Sequence, residues 1–387
     1  MSQRIEQASR DTAPAGSIRF NTDSSKLEIY NGEQWWDIDA TSTQQQTGGD
    51  RGIFFGGGYT STNIIDFVNI ESTGDAADFG DLSRPLYMNQ GTGSRVRGLV
   101  HGSHGAPGNN NSIEMITISS QGDTTDFGDL NSTDSQSHSG ACASRTRALF
   151  PLGGATLKNN IDFVTISSTG NAEDFGDLTS QRRNMKSGFS SPTRGVFGGG
   201  QNPDATNVID YVTISTKGNA ADFGDISDGP LREGGGLSNA IRGVYGSGSS
   251  PGSTDEMHYL TLATLGNTQD FGNLTQAKEG STGTNSPTRG LFAGGTTPTH
   301  LSEIDFIQIM TLGNAQDFGD TIQSVIAEGS TMTSGTRAVY CGGITPSGTN
   351  VIQYVQIMTT GDAVDFGDLT VARGHGNACS NAHGGLG

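Results

Sequence analysis

Residues 221–226 read ADFGDI, and variants of this segment return along the whole chain after its first seventy residues. Their phenylalanines are Phe79, Phe127, Phe175, Phe223, Phe271, Phe318 and Phe366, at spacings of 48, 48, 48, 48, 47 and 48 residues. A second marker keeps the same period: an arginine, a small residue, a short apolar run and usually glycines. It reads RGIFFGGG from Arg51, RGLVHGS from Arg97, RALFPLGG from Arg147, RGVFGGG from Arg194, RGVYGSG from Arg242, RGLFAGG from Arg289 and RAVYCGG from Arg337. Self-similarity at roughly 40 to 50 residues marks a solenoid or a propeller. Seven copies predict a ring.

One repeat, residues 185–226, reads as four strands. MKSGFSS is an inner strand and RGVFGGG a second; the polar loop QNPDATN leads to a third, IDYVTIS, and TKGNA leads to an outer strand, ADFGDI. The third strand is β-branched and aromatic, and a Gly-Asn or Gly-Asp pair before the outer strand suits a hairpin turn. Apolar residues on both parities of IDFVTI predict a sheet covered on both faces by neighbouring blades. The repetitive region opens at Arg51 with a second strand, and residues 374–387, GHGNACSNAHGGLG, match the inner-strand segments. The end of the chain is therefore expected to supply the missing strand of the first blade, which leaves no open edge. The predicted class is all-β: a seven-bladed β-propeller of four-stranded blades over residues 51–387.

The 59 glycines fall at fixed repeat positions, where turns need positive φ or backbones approach closely. The apolar fraction is 32%, and the blades are expected to share one continuous core. A formal net charge of −18, from 22 basic and 40 acidic residues, argues against nucleic acid as a partner. The marker arginines and the DFGD aspartates are expected to form a lattice between blades. Cys142, Cys341 and Cys379 lack framework spacing and read as small core residues. No secretory signal and no apolar run of about 18 residues is present, so membrane insertion is not expected.

Catalysis finds little support. His101 and His104 form the only close histidine pair, in a Gly-rich loop without a third ligand at suitable spacing. Asp-x-x-Asp recurs with every repeat, whereas an active site needs a unique constellation. The glycine runs precede polar loops rather than helices, so they are not dinucleotide cradles. The expectation is a non-enzymatic protein without cofactor or metal.

The segments between second and third strands vary in length and sequence and are polar, rich in Asn, Thr, Ser and Gly. In a propeller they share one face with the outer-to-inner connectors. That face is the candidate binding surface, with Tyr59, His104, Asn109, Asn110, Asn159, Asn202, Asp204, Asp255, His300 and Asn350 as candidate contacts for sugar hydroxyls or a protein backbone.

The first fifty residues form a separate unit: an arm (1–13), a small β module (14–38) with strands SIRFN, KLEIY and QWWDI, and a linker (39–50). APAGSIRFNTDSSKLEIYNGEQWW, residues 13–36, resembles a short β module found near the start of many tailed-phage fibre and virion proteins. The repeats, with TGNAxDFGDL and RGVFGGG, are similar to those of propeller-type virion proteins of marine and cyanobacterial phages. Their diglycines resemble those of kelch repeats, whose Tyr and Trp positions are absent here. The resemblance implies a virion component. It is expected to dock on other virion proteins through the first forty residues, with Arg4, Phe20, Tyr30, Trp35 and Trp36 as candidate attachment residues and the arm held by partners. The loop face would meet a host-surface glycan or receptor. The alternative is a decoration or adaptor protein that binds only other virion proteins.

Overall fold

A computed structural model describes residues 14–21, 26–37, 51–58, 62–86, 90–102, 111–132, 140–153, 157–185, 188–227, 229–231, 234–249, 252–324, 330–343 and 347–382, with backbone alone for Phe20, Asn21, Lys26, Leu27, Trp36 and Asp37. Chain contacts divide it into two units, residues 1–48 and 49–387.

The larger unit is a seven-bladed β-propeller. Its fourth blade is typical: strands Gly188–Ser190, Arg194–Gly198, Val208–Thr213 and Ala221–Asp225 pair antiparallel in chain order. The first blade takes its inner strand, Asn377–Ser380, from the end of the chain, with Cys379 opposite Ile53. The expected closure is thus present. All seven DFG phenylalanines are buried, none more than 3% exposed.

The apolar side chains form seven separate clusters, one in each gap between blades. The expectation of one continuous core is corrected: each sheet lies between two gaps and keeps their side chains apart. Within a gap, the inner strand of one blade inserts a knob over the small residue of the next blade's marker. A Cβ built on Gly243 would lie 2.5 Å from the Phe189 ring, on Gly290 2.6 Å from Leu237, and on Gly52 1.9 Å from Met332 Sδ. Cys142 and Cys379 are such knobs, over Gly195 and Gly98. Burial pushes the Cys142 thiol pKa up to about 12, and no cysteine is in a disulfide. Where the marker has Ala instead, at Ala148 and Ala338, the preceding blade carries Thr92 and Thr284 at the knob register.

Three further sets of contacts run from blade to blade around the whole ring. The Gly-Asn/Asp pair does not close a tight hairpin. Its glycine and the residue after the pair donate backbone hydrogen bonds to the outer strand of the preceding blade, as in Gly218 N to Phe175 O (2.8 Å) and Ala220 N to Asp177 O (2.7 Å), and the set closes with Gly74 N to Phe366 O (2.7 Å). The Asn or Asp side chain adds a bond to the same strand, Asn219 Oδ1 accepting from Asp177 N at 3.1 Å. The DFG glycine is required here: Gly176 has φ +145°, and a Cβ on it would lie 2.5 Å from the Gly218 carbonyl.

Each marker arginine donates to a main-chain carbonyl of the next blade, from Arg51 to Ile118 O (2.9 Å) round to Arg337 to Ile70 O (3.0 Å). Six of them lie over an aromatic ring of their own blade, as Arg242 does over Tyr259. The seventh, Arg97, has Met115 at that register. The expected lattice of blade-to-blade hydrogen bonds is thus present; the arginines make it with carbonyls and not with the DFGD carboxylates, and the first aspartate of each DFGD segment remains exposed.

The third set is buried. The polar residue inside the third strand, Asp66, Glu114, Asp162, Asp210, His258, Asp305 or Gln353, is at most 5% exposed and bonds to the outer strand of the preceding blade or to the residues just after it. At three junctions a cation completes the contact: Arg182 with Asp210 (2.5 Å), Lys278 with Asp305 (2.7 Å) and Arg373 with Asp66 (2.8 Å). Burial lowers the Arg182 and Arg373 pKa values, and the facing carboxylates oppose that shift. Asp162, which bonds Asn131, is pushed above the usual carboxylate range by burial.

In the smaller unit, Ile18–Asn21, Lys26–Tyr30 and Trp35–Asp37 form a three-stranded antiparallel sheet. Arg19 bridges Glu28 at 2.7 Å and lies 4.2 Å over the Trp35 ring, which packs 5.2 Å from Tyr30.

Candidate functional site

The loop face is built on an alternation that the 48-residue period conceals. Third strands have eight residues in blades 1, 3, 5 and 7 and six in blades 2, 4 and 6; outer strands have ten and five. In each longer pair the ladder breaks and resumes. In blade 3, Asn160 pairs with Asp177 and Lys158 with Arg182, so Asn159 alone faces the four residues 178–181. That excursion carries the outer strand toward blade 4, where Thr179 and Arg182 both bond the buried Asp210. Leaving the ladder frees the strand to cross the gap, and a bulge re-aims side chains in this way.

The residue opposite the excursion is Asn63, Asn159, Asp255 or Asn350 in blades 1, 3, 5 and 7. Three of these are among the residues expected from the sequence; Asn63 was missed. Their spacings of 96, 96 and 95 residues, two repeats, were the signal that could have found it. All four are half-buried on the loop face, and none of their side chains makes a hydrogen bond to another described residue. Each keeps carbonyl or carboxylate acceptors, and the three amides also keep donors, for use by a ligand.

In blades 4 and 6 the loops themselves are shaped. Gln201 forms bridges with Arg183, from the connector leaving blade 3, and with Ala205. The turn so closed, with Asn202 N bonded to Asp204 O at 2.7 Å, leaves Asn202 and Asp204 exposed. In blade 6 a miniature hairpin pairs Thr296–Thr297 with Thr299–His300; Thr296 is bridged to Glu279 from blade 5, and exposed His300 contacts Thr296 Oγ1 through Nδ1 at 3.0 Å. Connectors of blades 3 and 5 thus staple the loops of the blades that follow. Tyr59, His104, Asn109 and Asn110 lie outside the described residues.

Of the attachment residues, Arg4, the arm 1–13, the segment 39–50 and the side chains of Phe20 and Trp36 lie outside the described residues. Tyr30 is buried and Trp35 half-buried beneath Arg19. Among the described side chains of this sheet, the large apolar ones that are exposed are instead Ile18, 61% exposed, and its cross-strand partner Ile29.

His101 does not pair outward. It is buried in the gap between blades 2 and 3, edge-on to Phe150 at 4.4 Å, with neither ring nitrogen hydrogen-bonded among the described residues. Among the described residues, no three His, Cys, Asp or Glu side chains are grouped so as to hold a metal ion. The chain matches no protein-family model, and no curated protein shows significant similarity to it.

Proposed function

We propose that this protein is a structural component of a tailed-phage virion, a tail- or fibre-associated propeller whose loop face binds a host-surface glycan or receptor. The observation that carries this reading is the set Asn63, Asn159, Asp255 and Asn350: equivalent side chains on alternate blades, partly accessible and without hydrogen bonds to other described residues. Carboxamides donate and accept, and a carboxylate accepts, which together suit the paired donor and acceptor character of sugar hydroxyls. The virion location rests on the fibre-type pattern of residues 13–36 and on the repeat motifs. In this reading the smaller unit joins other virion proteins, and neither nucleic acid, membrane insertion, cofactor nor catalysis is involved.

A second reading, a decoration or adaptor protein binding only virion partners, is favoured by the exposed Ile18–Ile29 pair. One experiment separates the two. The full chain and the triple variant Asn159→Ala/Asp255→Ala/Asn350→Ala are applied to a glycan array and to a panel of marine bacterial and cyanobacterial cells. The glycan reading expects binding by the wild type and its loss in the variant. A wild type that binds neither sugars nor cells, yet coats phage particles lacking it, establishes the second reading.

A further inference from the structure

The propeller face opposite the loops carries the reversals between third and outer strands. Just before the glycine that recurs in every blade, two tip positions are polar in blades 1 to 4, with Glu or Ser at the first and Thr, Gln or Lys at the second. Blades 5 to 7 break the rule: Leu265, Met310, Leu312 and Met358 stand at these positions. With Ile241 from the inner-to-second-strand reversal of blade 5 and Val364 at the start of blade 7's outer strand, they are 48% to 54% exposed.

Blades 5, 6 and 7 are consecutive in the ring, and Met358 reaches across one of their boundaries. Met358 Sδ of blade 7 lies 3.9 Å from Ser286 Oγ and 4.0 Å from Thr288 Oγ1 in blade 6, and the Ile241 carbonyl accepts a hydrogen bond from the Leu262 amide. In a fold that repeats one plan seven times, apolar tips on three adjacent blades are a local departure; elsewhere on this face blade 2 exposes the single Val96, at the register of Ile241. Clustered exposed apolar surface marks an interaction site.

Charge narrows the partner. Residues 241–373 contain five Lys or Arg. Lys278 and Arg373 are buried in ion pairs, while Arg242, Arg289 and Arg337 lie over rings and donate to carbonyls. Asp270, Asp317 and Asp365 are exposed at the starts of the same outer strands. The sector is therefore apolar with an acidic rim and, among its described residues, has no exposed cation. A second copy docked on the same sector would bring acid against acid, and an anionic membrane would be repelled likewise.

We infer that the turn face of blades 5 to 7 docks a protein segment whose apolar side is flanked by Lys and Arg, a basic amphipathic partner. The site is separate from the loop face and does not depend on its ligand.

The test uses the full chain and a fluorescent amphipathic peptide of Leu and Lys, followed by anisotropy at low and high salt. A variant carrying Leu265→Thr, Met310→Ser, Leu312→Thr and Met358→Ser introduces only residue types already found there in blades 1 to 4. The expected result is saturable binding by the wild type, weakened by salt, and about tenfold or more weaker in the variant, since each tenfold needs only ~1.4 kcal/mol. Should that variant unfold, Asp317→Asn with Asp365→Asn alters only exposed side chains and is expected to weaken the same binding. The inference is overturned by no binding, by equal binding in wild type and variants, or by equal binding of a Leu/Glu peptide. Self-association or anionic-vesicle binding that the fourfold variant abolishes also overturns it, in favour of a second copy or a membrane.

Discussion

The side chain of Asn381 accepts a hydrogen bond from the backbone amide of Arg51 at 2.8 Å, across 330 residues of sequence. Elsewhere in the ring the same bond is local: Asn239 Oδ1 accepts from Arg242 N at 2.8 Å, and Ser191 Oγ from Arg194 N at 3.0 Å. Each is an Asx- or Ser-type turn that fixes the reversal into the marker strand. In the first blade the chain is broken at this point, yet the turn's bond persists, joined by Asn381 N to Arg51 O at 3.2 Å.

Deleting residues 375–387 therefore removes the inner strand of the first blade, its turn bond and the Cys379 knob together. The truncated protein is expected to melt far below the full chain in a thermal scan; equal melting would show that closure contributes nothing. Asn381→Ala alone is expected to cost about 1 kcal/mol, the size of a single hydrogen bond.

The DFG rings fill the gaps between blades. Phe175, 2% exposed and edge-on to Phe163 at 5.7 Å, is expected to cost about 3–5 kcal/mol on replacement by Ala, read from urea midpoints.

The knob contacts predict a compensated pair. Gly243→Ala places a methyl 2.5 Å from the Phe189 ring and is expected to destabilise by about 1–3 kcal/mol. Adding Phe189→Thr copies the Thr and Ala found at Thr92 with Ala148 and at Thr284 with Ala338. A double-mutant cycle is expected to show favourable coupling. Strict additivity would sink the knob account.

His101 predicts a pH dependence. Burial lowers its pKa from the usual 6.5 to about 4, so between those values the unfolded chain binds a proton that the folded chain does not. The His101 contribution to stability is complete above about pH 6.5 and falls as the pH drops toward about 4, by up to about 3 kcal/mol. His101→Phe, the residue that blade 1 has as Phe55, is expected to lose this slope relative to wild type in urea titrations at several pH values.

Ring, blade order and closing strand were legible because they rest on period and phase, which a repeated Phe and Arg display openly. The contacts between blades were not. A single Asp in IDFV reads as a solvent-facing residue, and only the neighbouring strand's Thr179 and Arg182 show why Asp210 can be buried. Gly-Asn reads as a hairpin turn, since nothing local reveals that Gly218 bonds into the adjacent blade. The excursion at residues 178–181 has no compositional signature; its trace is the two-repeat recurrence of Asn63, Asn159, Asp255 and Asn350. The apolar sector was visible in principle, as Leu and Met at positions that are polar in the other copies.

Seven is odd, and blades that alternate between two forms cannot alternate all the way round. Blades 7 and 1 are both of the long form, and the seam where they meet is where Arg373 reaches Asp66 and where Asn377–Ser380 joins the strand that opens the ring at Arg51. A wheel of nominally interchangeable spokes thereby acquires one angular landmark, so a partner sensitive to the alternation can seat in a single rotational setting rather than seven.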